Sequence, residues 1–298
     1  MSLRFKVIAL IPILLILTSC QDALVGSKPN PQPVTPENVT DAEVVNETNT
    51  TTSEAVGELF IPRYGNLTLY FLNVGGDAVL AHYNEKSALV NSGYEEDSEK
   101  ILKSIRNLGI TKLDYIFATN TQLKNIGGMP YIILRAKPSV LVESGLPSSP
   151  IYKELFNDTT VIQNDKYFHI DDILLQVLVA YDSGQGFLEN ENDNSLVVKV
   201  TYGNSNFLLM SDCGMECEEF IDVQADVIKI ADNCDATSLA FLQRVNPEIA
   251  VVLTSSEDFC QNIINRFKYL NIPLYITSEK GDIFITTDGL DYDVGYKE

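Results

Sequence analysis

Residues 113–129 read LDYIFATNTQLKNIGGM, and this stretch decides the fold. Residues 113–118 form an apolar run of strand length and composition. A polar turn follows at 119–125, and the chain restarts at Ile126-Gly127-Gly128 into a mostly apolar segment. A strand end, a polar loop and a glycine-marked restart are where an α/β protein presents its chemistry, at the carboxyl edge of a sheet.

The pattern continues outward on both sides. Upstream, 66–74, 78–83 and 87–91 read as a three-stranded meander. Residues 95–108 read as an amphipathic helix with Ile101, Leu102, Ile105 and Leu108 on one face. Downstream come a short helix at 128–135, a strand at 138–143, a short helix at 150–156 and shorter strands at 161–163, 166–169 and 173–180. The second half opens with a hairpin, 195–201 and 206–210, across Tyr202-Gly203-Asn204. Helices at 214–221, 236–245 and 258–270 alternate with strands at 227–230 and 249–253, and strands at 273–277 and 282–286 close the chain. Pattern alone predicts a mixed α/β domain over 60–298.

The blocks of this domain resemble the metallo-β-lactamase superfamily, in particular its ComEC-type competence branch. That branch reads L-T-H-P-H-A-D-H-I-G-G where this chain has residues 118–128. Thr119 and Ile126-Gly127-Gly128 match. Asn120 and Gln122 fall on the first two histidines, Lys124 on the aspartate and Asn125 on the third histidine. Residues 69–78, LYFLNVGGDA, resemble the opening strand and its D-V-G-Q-G-D-A turn. Residues 88–93, ALVNSG, resemble I-L-I-D-G-G, and Asn194-Ser195-Leu196 resembles N-N-S-L. Residues 207–213, FLLMSDC, keep the family aspartate as Asp212. Residues 225–238, ADVIKIADNCDATS, resemble A-D-V-L-K-V-G-H-H-G-S-x-x-S, with Asp232 and Asn233 on the paired histidines. The resemblance implies a four-layer αββα sandwich of two mixed sheets.

It does not carry the family's chemistry across. A hydrolytic dication needs three or more imidazoles or carboxylates converging on it to lower the pKa of a bound water. The chain has two histidines, His82 and His169, and neither falls on a ligand position. Asn120, Gln122 and Asn125 are amides, and Lys124 puts a cation beside the would-be ion. Asp212 and Asp232 could hold at most a weakly bound Mg²⁺ or Ca²⁺. A salt bridge from Lys124 to Asp212 or Asp232 would fill the vacated centre. No G-x-S-x-G elbow, P-loop or G-x-G-x-x-G is present.

The N-terminus has a positive start at Arg4 and Lys6, an apolar run over 7–17, and Leu17-Thr18-Ser19-Cys20, which resembles a lipobox. Residues 1–20 therefore read as a lipoprotein-type signal peptide with Cys20 as the lipidated residue. Residues 21–59 read as a disordered Thr/Pro/Asn-rich stalk. Sequons stand at Asn38, Asn46, Asn49, Asn66 and Asn157, as glycosylation candidates. Outside the cytoplasm, the remaining cysteines Cys213, Cys217, Cys234 and Cys260 favour disulfides over a structural zinc site. Cys213–Cys217 with Cys234–Cys260 is the favoured pairing and Cys217–Cys234 the competing one, all four being expected near the rim of the former site. The net charge is −20, with scattered basic residues. Such a chain repels phosphate backbones, which argues against nucleic acid. The expected function is a membrane-tethered, extracytoplasmic pseudoenzyme that binds or scaffolds an unknown ligand or envelope protein, with no cofactor. The alternative is a phosphodiesterase- or nuclease-like hydrolase with a rearranged site.

Overall fold

Strand after strand in this chain is apolar on both faces, so each must be covered on both sides. In the computed structural model, which describes residues 66–146, 159–162, 165–179, 186–256 and 259–297, this produces four layers. The first sheet begins with β1 (Leu67–Phe71), β2 (Val79–Tyr83), β3 (Lys86–Val90), β4 (Tyr115–Ala118), β5 (Val140–Glu143) and β6 (Thr159–Val161). The second holds β7 (Lys166–Ile170), β8 (Ile173–Leu178), β9 (Val197–Tyr202), β10 (Ser205–Leu209), β11 (Val227–Ile230), β12 (Ile249–Val252) and β13 (Leu274–Ile276). The chain then returns to the first sheet with β14 (Asp282–Thr287) and β15 (Tyr292–Lys297). The strand orders are β15-β14-β1-β2-β3-β4-β5-β6 and β13-β12-β11-β10-β9-β8-β7.

The period of two sorts the side chains. Leu67, Leu69 and Phe71 of β1 meet Val198, Val227 and Val251 in the core between the sheets. Tyr70 and Leu80 face outward onto α1 (Ser98–Asn107) and α3 (Met129–Ala136), against Ile101, Ile105, Met129 and Ile132. Ile228, Ile230, Ala250 and Val252 face the other way, onto α4 (Met215–Phe220), α5 (Leu239–Val245) and α6 (Gln261–Leu270). The architecture is an αββα sandwich of two mixed sheets.

Local chemistry moved several boundaries. The loop expected at 119–125 contains a helical turn, α2 (Leu123–Ile126), because the amides of Asn125 and Ile126 both donate to the Gln122 carbonyl. The helix expected from 236 starts at Leu239, where Ser238 accepts from the Phe241 amide and caps it. The closing segments hold more than two strands: α7 (Thr277–Lys280) intervenes, and β15 pairs with β14 as an edge strand. In β15 the charged residues Asp293 and Lys297 broke the apolar signal. The helix expected at 150–156, the signal peptide, the stalk, Cys20, Asn38, Asn46, Asn49 and Asn157 lie outside the described residues. Asn66 is half-buried at the start of β1.

β1, β3 and β4 run in one direction, as do β10, β11 and β12. Their C-terminal loops gather along one edge of the sandwich, and glycines let three of them touch. A Cβ on Gly76 would stand 2.1 Å from the Lys124 carbonyl oxygen, and one on Gly128 would stand 2.3 Å from that of Ser92. The Asp77 amide donates to the same Lys124 carbonyl at 2.8 Å, and the Ser92 amide to the Asn125 carbonyl at 2.7 Å. Gly76→Ala should therefore lower stability by about 2 kcal/mol, because the obstacle is backbone rather than a movable side chain. Urea denaturation reads this, and a loss under about 0.5 kcal/mol would show that the loops are not in van der Waals contact.

Candidate functional site

The edge just described is built around the Asp212 carboxylate. Asp212 follows β10 and is buried, at 2 % exposure. Its Oδ1 meets Lys124 Nζ at 2.8 Å. Its Oδ2 accepts from Asn120 Nδ2 at 2.9 Å and from Asn125 Nδ2 at 2.6 Å. A carboxylate can only accept, so both amides must turn their NH₂ groups toward it. Their oxygens are used in turn. Asn120 Oδ1 accepts from the Gln122 amide and from Asn125 Nδ2, and Asn125 Oδ1 from Asn91 Nδ2. Asn91 Oδ1 accepts from both the amide and the hydroxyl of Thr119, which also bonds Ser211. Ser195 Oγ accepts from Asn120 Nδ2 at 3.0 Å.

A second ion pair lies behind the first. Lys229 occupies a core-facing position of β11 and is 2 % exposed. Its ammonium pairs with Asp77, on the loop after Leu72, and donates to the Ser211 carbonyl at 3.3 Å. Lys124 and Asp77 belong to loops of the first sheet, and Asp212 and Lys229 to the second. Each pair therefore crosses from sheet to sheet, and one buried and one half-buried cation, Lys229 and Lys124, are balanced by the buried carboxylates of Asp77 and Asp212. Burial pushes the Asp212 carboxyl up. The charges of Lys124 and Lys229, with hydrogen bonds from Lys124 and Asn120, outweigh it and hold the group below the usual aspartate value. Burial alone would lower Lys124, but attraction to Asp212 prevails and its pKa is raised.

The structure brings together some of the sequence candidates and separates others. Asn120, Lys124, Asn125 and Asp212 converge, and of the two salt bridges considered for Lys124 the one to Asp212 is present. Gln122 turns away, and its side-chain amide donates to Asn192 on the 3₁₀ turn Glu191–Asn194. Asp232 is exposed as a residue on the loop after β11, while its carboxyl turns partly out of water toward Thr254, and this desolvation, opposed by the Thr254 hydrogen bond, raises its pKa. Asn233 Oδ1 accepts locally from the Asp235 amide. His82, half-buried near the end of β2, and His169, exposed on edge strand β7, lie at the opposite edge of the sandwich. Cys213 pairs with Cys217, with Cα atoms 5.4 Å apart, and Cys234 with Cys260, at 5.5 Å. Cys213 and Cys217 lie beside Asp212 and the Glu191–Asn194 turn, buried under α4, and the Cys217 amide donates to Asp193.

Sequence reasoning missed Asn91, Ser195 and Ser211, which complete the network, and the Asp77–Lys229 pair. The signal for the pair was one lysine inside VIKI, at a position where its neighbours two residues away are buried. The donor set does not suit a catalytic dication. Among the described residues no three of His, Cys, Asp or Glu converge. The Asp212 oxygens are taken by an ammonium and two amide NH₂ groups, and the amide oxygens are already accepting.

Two outcomes follow. Lys229→Met leaves Asp77 buried without a counter-charge and should cost about 3–5 kcal/mol. Combining it with Asp77→Leu should recover most of that loss; an undiminished loss in the double variant would show that the pair is not the cause. Asp212 has a depressed folded pKa, so its contribution is full above the unfolded value of about 3.9 and is lost as pH falls through the folded value. The stability gap between the native chain and Asp212→Asn, read by urea titration, should be flat from about pH 5 to 8 and shrink only below about pH 4. A gap already shrinking at neutral pH would contradict the depressed value.

No protein-family model and no curated protein sequence matches the chain. Among solved structures it is similar to the metallo-beta-lactamase fold protein YhfI from Bacillus subtilis, at 10 % identity and a TM-score of 0.52, over 74 % of this chain and 99 % of that one. Igni18, a metallo hydrolase from the archaeon Ignicoccus hospitalis, scores 0.46 at 11 % identity, over 73 % of this chain and 98 % of that one. The short form of human tRNase Z also scores 0.46, at 12 % identity, over 70 % of this chain and 95 % of that one. The likeness to YhfI covers nearly all of that protein and matches the layers described above. The chain has the metallo-β-lactamase fold.

Proposed function

We propose that the chain is a non-catalytic member of this fold, related to the ComEC-type branch, that binds or scaffolds a partner through the edge its relatives use for chemistry. One observation carries the reading. Lys124 Nζ stands 2.8 Å from Asp212 Oδ1, and in the resemblance to the ComEC-type branch these two residues fall on family aspartates, one replaced by lysine and one kept. An ammonium there supplies the positive charge that an ion would supply, without an open coordination position to activate water.

Two supporting features bear on where the module works. The disulfides Cys213–Cys217 and Cys234–Cys260 suit an oxidising compartment. Together with the lipobox-like residues before Cys20, they fit a domain held outside the cytoplasm at a membrane surface. A charge of −20 keeps such a domain off nucleic acid.

Metal content tests the reading. The purified full-length protein should carry zinc and manganese far below one ion per chain, and EDTA should leave its Tm unchanged. A tightly held ion would contribute about 4 kcal/mol at a thousandfold excess over its Kd. A stoichiometric ion, with a Tm falling by about 8 °C or more on chelation, would overturn the proposal in favour of a rearranged hydrolase.

A further inference from the structure

The loops above the closed centre share a composition that the centre does not explain. Each of four of them carries an exposed apolar side chain: Tyr94, Leu123, Met215 and Leu239, at 37 %, 61 %, 57 % and 39 % exposure. Contacts from loop to loop tie these segments together. The backbone at Tyr94 lies against Gly127, at the end of α2, which carries Leu123. Thr121 donates to Glu191 and Gln122 to Asn192, linking that loop to the 3₁₀ turn Glu191–Asn194. Asp193 of this turn accepts from the Cys217 amide, on the helix that opens with Met215. Glu218 of the same helix accepts from the amides of Thr237 and Ser238, just before Leu239.

Exposed carboxylates alternate with these apolar groups: Glu95 and Glu96, then Glu191, Glu216 and Asp235. Across the described loops 91–97, 119–128, 186–196, 210–224 and 231–238 the sequence supplies one basic residue, Lys124, and its charge is spent on Asp212. Arg266, which reaches these loops from α6, is engaged by the Ala236 and Thr237 carbonyls, so the edge presents apolar anchors in a field dominated by carboxylates.

We infer that this edge docks a Lys/Arg-rich amphipathic segment of another protein, whose apolar side chains seat on Leu123 and Met215 while its cations meet the surrounding carboxylates. The inference rests on the proposed function, since it assigns a partner class to the same edge. Charge complementarity favours such a partner over an anionic membrane surface or a nucleic acid, which the same carboxylates repel. Leu123 and Met215 supply the buried contacts that set the off-rate, and the carboxylates steer approach.

The test uses the full-length protein and a fluorescent amphipathic Lys/Leu helical peptide, read by anisotropy. Two control peptides accompany it: a scramble of the same composition without an apolar face, and a Glu/Leu counterpart. The Lys/Leu peptide should bind at least about tenfold tighter than either control. Leu123→Ser with Met215→Ser should weaken it about tenfold, as should Glu216→Lys with Asp235→Lys. About 1 M salt, where the Debye length is about 3 Å, should remove most of the difference between the Lys/Leu and Glu/Leu peptides. Equal binding of peptide and scramble would reduce the edge to unspecific charge and overturn the inference. So would unchanged affinity in both double variants whose folding is verified by circular dichroism, or preferential binding to phosphatidylserine vesicles. Metal content of the same preparation keeps the two claims apart. A metal-free protein that ignores the peptide defeats the docking surface alone, while a stoichiometric ion defeats the proposed function.

Discussion

A charge buried between two sheets must have a counter-charge, and this constraint organises the edge of the sandwich. Asp212 and Lys229 belong to one sheet and its loops, Lys124 and Asp77 to the other, and each finds its partner across the gap. Neither pair can be opened without leaving a desolvated ion, at a cost of several kcal/mol. The loops that carry them are locked by backbone contacts at Gly76 and Gly128, where there is no room for a Cβ. The αββα layers supply the apolar core, and these two pairs fix how the layers meet at the edge where loops converge.

The same constraint accounts for the amide network. An aspartate with one lysine partner still has lone pairs to satisfy, and Asn120 and Asn125 satisfy them. Their own oxygens are then satisfied by Asn91 and the Gln122 amide, and Thr119, Ser195 and Ser211 extend the network. A fully connected polar centre of this kind is rigid. It keeps the loops in one arrangement and leaves their outward side chains as a fixed surface.

Two-sided burial left dense apolar runs, so a mixed α/β domain was legible from pattern, and the four layers came from the resemblance of the motif blocks to the metallo-β-lactamase superfamily. A bridge from Lys124 was legible from the resemblance, which put this lysine on the family's aspartate, but its partner was left open between Asp212 and Asp232, and the structure has Asp212. The Asp77–Lys229 pair was hidden. In VIKI a lysine reads as a solvent-facing residue of a half-exposed strand, and only the first sheet, distant in sequence, makes that face interior. Gln122 was grouped with the centre by the resemblance, which places it on the second family histidine, but an extended backbone at its position turns its side chain toward Asn192. β15 was lost because an edge strand with Asp293 and Lys297 has too few apolar positions to register.

The central claim is that an ammonium holds the position an ion would take beside Asp212. Anomalous diffraction from crystals soaked in excess zinc addresses it directly. The account predicts no anomalous peak within coordination distance of Asp212, with Lys124 Nζ still bonded to its carboxylate. A peak there, with the Lys124 side chain swung toward solvent, would contradict it.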